Sequence, residues 1–317
     1  MKFSKRVTDL PPYLFAELDK AEESARSRGL DVVSMGVADP DLPPPDWLYR
    51  LLEEEIRREG FHRYPSYRGL AEYHKAISKW MEKRFGVYGL DPASEIITLI
   101  GAKEGIAHFM WAVCEPGDFA LIPDPAYPVY KTGAIYAGAR PYLLPLKREN
   151  DFLIDLGGIP EEVLQKAAVM FINYPNNPTG ATAPAEFYRD VIQFGKRYDI
   201  AIASDNAYSE IYYTNDKPYS ILQFDGAKEI CIEFNSFSKS FNITGWRIGW
   251  ACGNRKLVDA LLMVKTNVDS GAFNAIQMAL ARALSHPDLD RWAGENRARF
   301  KARRDIVASA LNQLGIG

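Results

Sequence analysis

Apolar and polar positions along the chain follow two patterns. Residues 13–28 put Leu14, Phe15, Leu18 and Ala21 on one face and stop at Gly29, which predicts an amphipathic helix. VVSMGVADPDLPPP then passes from strand-like to proline-rich loop, and helical spacing returns at 46–59 and 69–86. From residue 96 short apolar runs take over: 96–100 (IITLI), 119–122 (FALI), 141–145 (PYLLP), 168–172 (AVMFI), 200–203 (IAIA), 230–234 (ICIEF) and 248–252 (IGWAC). Most are separated by helix-length segments. Continuous apolar strands alternating with helices predict an α/β fold with a parallel sheet covered on both faces. The last run is the exception. About 13 residues, rich in Ser, Gly and Asn, join Phe234 to Ile248. That is short for a helical crossover, so this strand is expected to run antiparallel. Helical patterns close the chain at 255–265, 272–285 and 288–314. The last carries Ile306, Val307, Ala310, Leu311 and Leu314 on one face, with no strand following to cover it.

Composition narrows the class. The 317 residues are 47% hydrophobic and 25% charged, enough for a large core and, by length, about two domains. The net charge of −3 contains no block of one sign, so neither nucleic acid nor an anionic membrane is implied as a partner. The opening MKFSKRVTDLPPYLF lacks the apolar core of a signal peptide, and no run approaches the ~18 apolar residues of a membrane span. Cys114, Cys231 and Cys252 are odd in number and far apart, which suits buried free thiols in a reducing compartment. A cytoplasmic location is expected. The four histidines have no metal-binding spacing, so no metal is expected.

The chemistry collects where ligands of open α/β sheets bind, beyond the carboxyl ends of the strands. Gly101-Ala102-Lys103-Glu104-Gly105 opens a helix after the first strand, a place where backbone N–H groups suit an anion. Later strand ends carry Pro123-Asp124-Pro125-Ala126-Tyr127, Asn173-Tyr174-Pro175-Asn176-Asn177-Pro178-Thr179-Gly180 and Ser204-Asp205-Asn206-Ala207-Tyr208. The sixth strand leads into SFSKSFNITGWRIGW, residues 236–250. Each residue alone has a plainer reading. Lys239 could be a surface lysine, Asp205 a helix N-cap, NNPTG a turn, Tyr127 and Tyr208 core tyrosines, Arg247 an ion-pair partner. The ordered set at successive strand ends argues for a site.

YPNNPTG, DNAYSEI and SFSKSFNITGWRIGW resemble the three signature segments of the class I/II, fold-type I pyridoxal-phosphate aminotransferases. The resemblance spans nearly the whole chain. It implies a seven-stranded, mostly parallel sheet with one antiparallel strand, helices on both faces, and a small α/β domain. Residues 1–45 would form an N-terminal arm and part of the small domain, 46–254 the large cofactor domain, and 255–317 a linker helix and truncated small domain. The implied cofactor is pyridoxal 5'-phosphate. Lys239 would form a Schiff base with its aldehyde and later move the substrate Cα proton; an apolar site and a nearby cation make such an amine available. Asp205 would pair with the pyridine nitrogen, Asn177 and Tyr208 with the ring 3-oxygen, and Tyr127 would stack on the ring. Ser236, Ser238, Arg247 and the N–H groups of Ala102 and Lys103 would hold the phosphate. Tyr64 would reach the phosphate of a partner subunit, implying a homodimer with shared active sites. Cis bonds at Asp124-Pro125 and Asn177-Pro178 are also implied.

Four more segments, LPPYLFAELDKA, GVADPDLPPP, HRYPSYRGL and VKTNVDSGAFNAIQ, are similar to the bacterial LL-diaminopimelate aminotransferases. That likeness implies amino transfer from LL-2,6-diaminopimelate to 2-oxoglutarate in lysine synthesis, with Tyr13, Gly36, Lys103 and Asn267 lining the substrate pocket. Two positions depart from the pattern: Ala102 stands where a serine is usual, and Ala38 replaces a glycine. An alanine- or aspartate-type aminotransferase, a lyase or cyclopropane-forming synthase on the same scaffold, and a non-catalytic cofactor-binding fragment are the alternatives. Relatives continue beyond the last helix into a segment carrying the arginine that clamps the substrate carboxylate. The expectation is therefore a C-terminally truncated chain that binds cofactor but orients substrate poorly.

Overall fold

The computed structural model describes residues 1–8, 10, 14–34, 36 and 39–315. Among these, seven strands form one sheet: β1 (Ile96–Leu99), β2 (Phe119–Asp124), β3 (Arg140–Pro145), β4 (Ala167–Asn173), β5 (Ala201–Asp205), β6 (Cys231–Ser236) and β7 (Gly249–Gly253). They correspond one for one to the seven apolar runs. Their order is β1-β7-β6-β5-β4-β2-β3. Strands β2 to β6 pair in parallel, and β7 runs antiparallel between β1 and β6. The short connection explains the reversal. It holds only the four-residue helix Phe237–Ser240 and a single turn at Thr244–Trp246, and it brings Gly249 back opposite Ser236.

Helices α1 (Lys5–Thr8), α2 (Leu14–Ser27), α3 (Asp46–Ile56) and α4 (Ala71–Phe85) precede the sheet. Helices α5 (Ala102–Val113), α6 (Val129–Ala137), α7 (Glu161–Leu164), α8 (Ala185–Tyr198), α9 (Ala227–Ile230) and α10 (Phe237–Ser240) lie between strands. Helices α11 (Arg255–Val268), α12 (Asn274–Ala283) and α13 (Leu289–Gln313) follow it. The side chain of Asn254 caps α11 by accepting from the Lys256 and Leu257 amides. That helix runs three residues past its predicted end.

Alternate side chains of each strand enter separate apolar layers. Ile106, Phe109 and Met110 of α5, Tyr130 of α6 and Leu261 of α11 cover Leu99, Phe171, Ala203 and Phe234. On the other face Leu48 of α3, Ile77 of α4, Ile192 of α8 and Leu280 of α12 pack with Ile96, Ile172, Ile202 and Cys252. Each such fully buried aliphatic or aromatic side chain contributes about 1.5–3 kcal/mol. The apolar face predicted for α13 is exposed, with Ile306 at 71% and Leu314 at 73%. No helix among the described residues is long and apolar enough to cross a membrane.

Candidate functional site

At the carboxyl edge of the parallel strands lies a cavity of ≈ 400 Å³. Ala102, Lys103, Tyr127, Asn177, Asp205, Tyr208, Ser236, Ser238, Lys239 and Arg247 all line it, as does Gly36. The sequence-predicted residues thus converge from five strand ends and the N-terminal segment. Tyr13 lies outside the described residues. Two others are elsewhere. Tyr64 is 88% exposed on the loop before α4. Asn267 is exposed on α11, its amide donating to the Met263 carbonyl at 2.8 Å. The reason is helical phase: α11 turns Lys265 inward, and two residues later the chain faces out.

Asp205, at the tip of β5, is 5% exposed. Its Oδ2 accepts from the Tyr130 hydroxyl at 2.7 Å and its Oδ1 from the Ala207 amide at 3.2 Å. Burial pushes its pKa up to about 6, and the two hydrogen bonds oppose that rise. Asn173 ties the neighbouring loop to this strand end. Its Nδ2 donates to the Asp205 carbonyl at 2.8 Å and its Oδ1 accepts from the Asn177 amide at 2.8 Å. Asn177 Nδ2 in turn donates to the Tyr208 hydroxyl at 3.3 Å. Burial, then the Asp205 charge, pushes the Tyr208 hydroxyl up to about 12, so it remains a donor at neutral pH. Tyr127 meets Tyr130 edge-on, with ring centroids 6.1 Å apart.

Lys239 stands on α10. Burial holds its amine below the ordinary lysine value and Arg247 acts in the same direction, against Asp39. Asp39 Oδ1 lies 3.7 Å from Nζ, and Oδ2 accepts from the Thr244 hydroxyl at 3.2 Å. Ser236 caps the lysine turn, its Oγ accepting from the Ser238 amide at 3.1 Å. Arg247 has φ 55°, and its guanidinium donates to the carbonyls of Thr244 (2.7 Å) and Ile100 (3.4 Å). That places a fixed cation beside the start of α5, where leading N–H groups have no intrahelical acceptor and the helix dipole is positive. Two glycines keep this corner open. A Cβ on Gly249 would lie 2.5 Å from the Asn235 carbonyl, and one on Gly101 would strike the Arg247 guanidinium. Asp124-Pro125 and Asn177-Pro178 are cis as expected, and so is Tyr174-Pro175.

Sequence reasoning missed Tyr130, Asp39, Asn173 and Thr244. Tyr130 left one faint signal, its i+3 spacing from Tyr127 at the opening of α6. Among the described residues, Glu104, His108 and Asp269 bring potential metal-ligand atoms within 4.8 Å of one another. The Lys265 ammonium already supplies the cation there, 2.9 Å from Glu104 and 2.8 Å from Asp269.

An anion corner, a buried carboxylate, a phenol–amide pair and an amine of lowered pKa share one cavity on a sheet with a single reversed strand. The sequence profile of the family Aminotransferase class I and II matches residues 31–317, and the chain belongs to that family. It is an aminotransferase. More particularly, it is 51% identical to the LL-diaminopimelate aminotransferase of Aquifex aeolicus over 315 residues, 99% of this chain and 81% of that protein. It is 48% identical to the LL-diaminopimelate aminotransferase of Halothermothrix orenii, over 99% of this chain and 80% of that one. Among solved structures, substrate-bound BacF from Bacillus subtilis superposes with a TM-score of 0.93 at 33% identity, covering 99% of this chain and 79% of that one. An aspartate aminotransferase of Thermus thermophilus, 24% identical with a TM-score of 0.92 over 99% of this chain and 81% of that one, shares the fold.

Proposed function

We propose that this cavity holds pyridoxal 5'-phosphate and moves the amino group of LL-2,6-diaminopimelate to 2-oxoglutarate. The observation that carries the reading is the convergence of Lys239, Asp205, Asn177, Tyr208, Ser238 and Arg247 on one cavity. The donor set fits the cofactor: a cationic corner with two glycines for a phosphate, and a buried carboxylate for a ring nitrogen. Within a unit spanning 46–254, Arg247, Ser236, Ser238 and the start of α5 bind the phosphate. The Asp205 carboxylate holds a proton at the ring nitrogen, and Tyr208 and Asn177 orient the ring through its 3-oxygen. Tyr127 supplies an aromatic wall. When bound, the cofactor supplies an electron sink for the pair left on the substrate carbon. Lys239 Nζ takes the proton from the substrate Cα. Burial, which lowers its pKa, favours the neutral form that can do so. Gly36 borders the substrate side.

The working unit in this reading is a homodimer. Tyr64 and Tyr67 are exposed on a loop whose Ser66 carbonyl packs against Gly271, and Met263, Val268 and Phe273 are exposed nearby in the chain. Such an apolar patch suits a second copy, which would carry Tyr64 and Asn267 to the partner's cavity. The buried free thiols of Cys114, Cys231 and Cys252 suit the cytoplasm. The test is spectroscopic. Adding pyridoxal 5'-phosphate to the protein should give near-visible absorbance that Lys239→Ala abolishes. An unchanged spectrum in the variant rejects the assignment of Lys239.

A further inference from the structure

Helix α13 is 25 residues long but buries only Leu289 and Asn296. A buried amide is an odd anchor for a mostly exposed helix unless it is paired. Asn296 is 3% exposed and pairs reciprocally with Asn242, which is 8% exposed. Asn242 Nδ2 donates to Asn296 Oδ1 at 3.1 Å, and Asn296 Nδ2 donates to Asn242 Oδ1 at 3.2 Å. One turn earlier on α13, Trp292 stacks on Phe241, with centroids 5.5 Å apart and planes 10° apart. Both contacts fall on the two residues that directly follow the lysine turn. Asn242 is left-handed, φ 56°, and two backbone bonds close the turn around it: Phe241 N–H to Phe237 O at 3.0 Å and Ile243 N–H to Ser238 O at 3.1 Å. The lysine turn is therefore clamped from outside the sheet, by a helix 54 residues away in the chain.

We infer that Asn296 is a positioning residue for Lys239: its amide pair with Asn242 locks the lysine turn against α13 and so fixes where Nζ stands. This rests on the reading of Lys239 as the reacting amine. The charged groups facing Nζ are Asp39, from the loop before α3, and Arg247, before β7. The cavity it shares also holds Asp205, Tyr208, Tyr127 and Lys103. From α13, Arg297 points to Glu210, at 3.9 Å, so the helix acts through packing and the amide pair. Without the pair, the Asn242 amide is left buried and unsatisfied, the turn relaxes toward water, and the amine regains solvation.

The experiment follows how fast the full chain, freed of cofactor, develops near-visible absorbance after pyridoxal 5'-phosphate is added, as a function of pH. Only the neutral amine reacts, so the pH midpoint reports Lys239. For Asn296→Leu the midpoint is expected to rise by about 0.5–1 unit, with capture at neutral pH slowed roughly 3- to 10-fold. Asn296→Ser, which disturbs packing less, should move it the same way and decides the matter if the leucine variant does not fold. Leu289→Ala loosens the same helix without touching the pair; it should lower Tm and leave the midpoint in place. Unchanged midpoints in the Asn296 variants, or an equal shift in Leu289→Ala, overturn the inference. A Lys239→Ala chain that develops the same absorbance overturns the reading of Lys239 instead, and the inference with it.

Discussion

Removing one hydroxyl, with Tyr130→Phe, should make the stability of the cofactor-free protein depend on pH in a new range. The hydroxyl donates to the buried Asp205 carboxylate at 2.7 Å. A hydrogen bond to a charged group contributes about 1.5–3 kcal/mol. At about 1.36 kcal/mol per unit, its loss raises the Asp205 pKa by about 1–2 units. In the native chain that pKa is already raised from 3.8 to about 6 by burial. A carboxyl raised on folding favours the folded state below its unfolded pKa, and that contribution is lost as pH climbs through the folded pKa. The native chain therefore loses its share between about pH 4 and 6, whereas the variant goes on losing stability to about pH 7–8. Urea unfolding at pH 5 and pH 8.5 reads the difference. The variant should be destabilised by about 1.5–3 kcal/mol more at pH 8.5 than at pH 5. An equal loss at both pH values would refute the claim that Tyr130 stabilises the ionised form.

Other substitutions probe separate parts of the site. Arg247→Gln removes the fixed cation beside α5 and should weaken pyridoxal 5'-phosphate binding roughly 10- to 150-fold by equilibrium titration, the worth of charge-assisted bonds; binding within a factor of two of the native chain refutes the phosphate role. Lys265→Met leaves the Glu104 and Asp269 carboxylates without their cation and should cost about 3–5 kcal/mol in urea unfolding. Gly249→Ala forces a Cβ against the Asn235 carbonyl and should cost about 1–3 kcal/mol, read as a lower Tm together with weaker cofactor binding.

Most of the sheet was legible because burial on two faces removes polar positions from a strand, leaving runs such as AVMFI and IAIA. The reversed strand was legible from a length alone, the short link between Phe234 and Ile248. The convergence of these residues on one cavity was legible because they sit directly at strand ends, where chain order maps onto space. What failed to show needed side-chain direction or long-range pairing. That Asn267 faces away from its own chain's cavity shows only once the phase of α11 is known. Tyr130 looks like any core aromatic until its hydroxyl is seen on Asp205. Asp39 sits in a loop without periodicity. Nothing local connects Asn242 to Asn296. The apolar face of α13 was legible as a pattern, and the described residues leave it exposed.

The central claim is amino transfer at Lys239 with LL-2,6-diaminopimelate as donor. Its most direct test is a half-reaction: LL-2,6-diaminopimelate added to the cofactor-loaded protein, without oxo acid, while the near-visible absorbance is recorded. The absorbance should fall in proportion to donor consumed, return when 2-oxoglutarate is added with glutamate as product, and stay unchanged in Lys239→Ala. Release of ammonia or pyruvate, or full turnover of alanine or aspartate with none of LL-2,6-diaminopimelate, would contradict it.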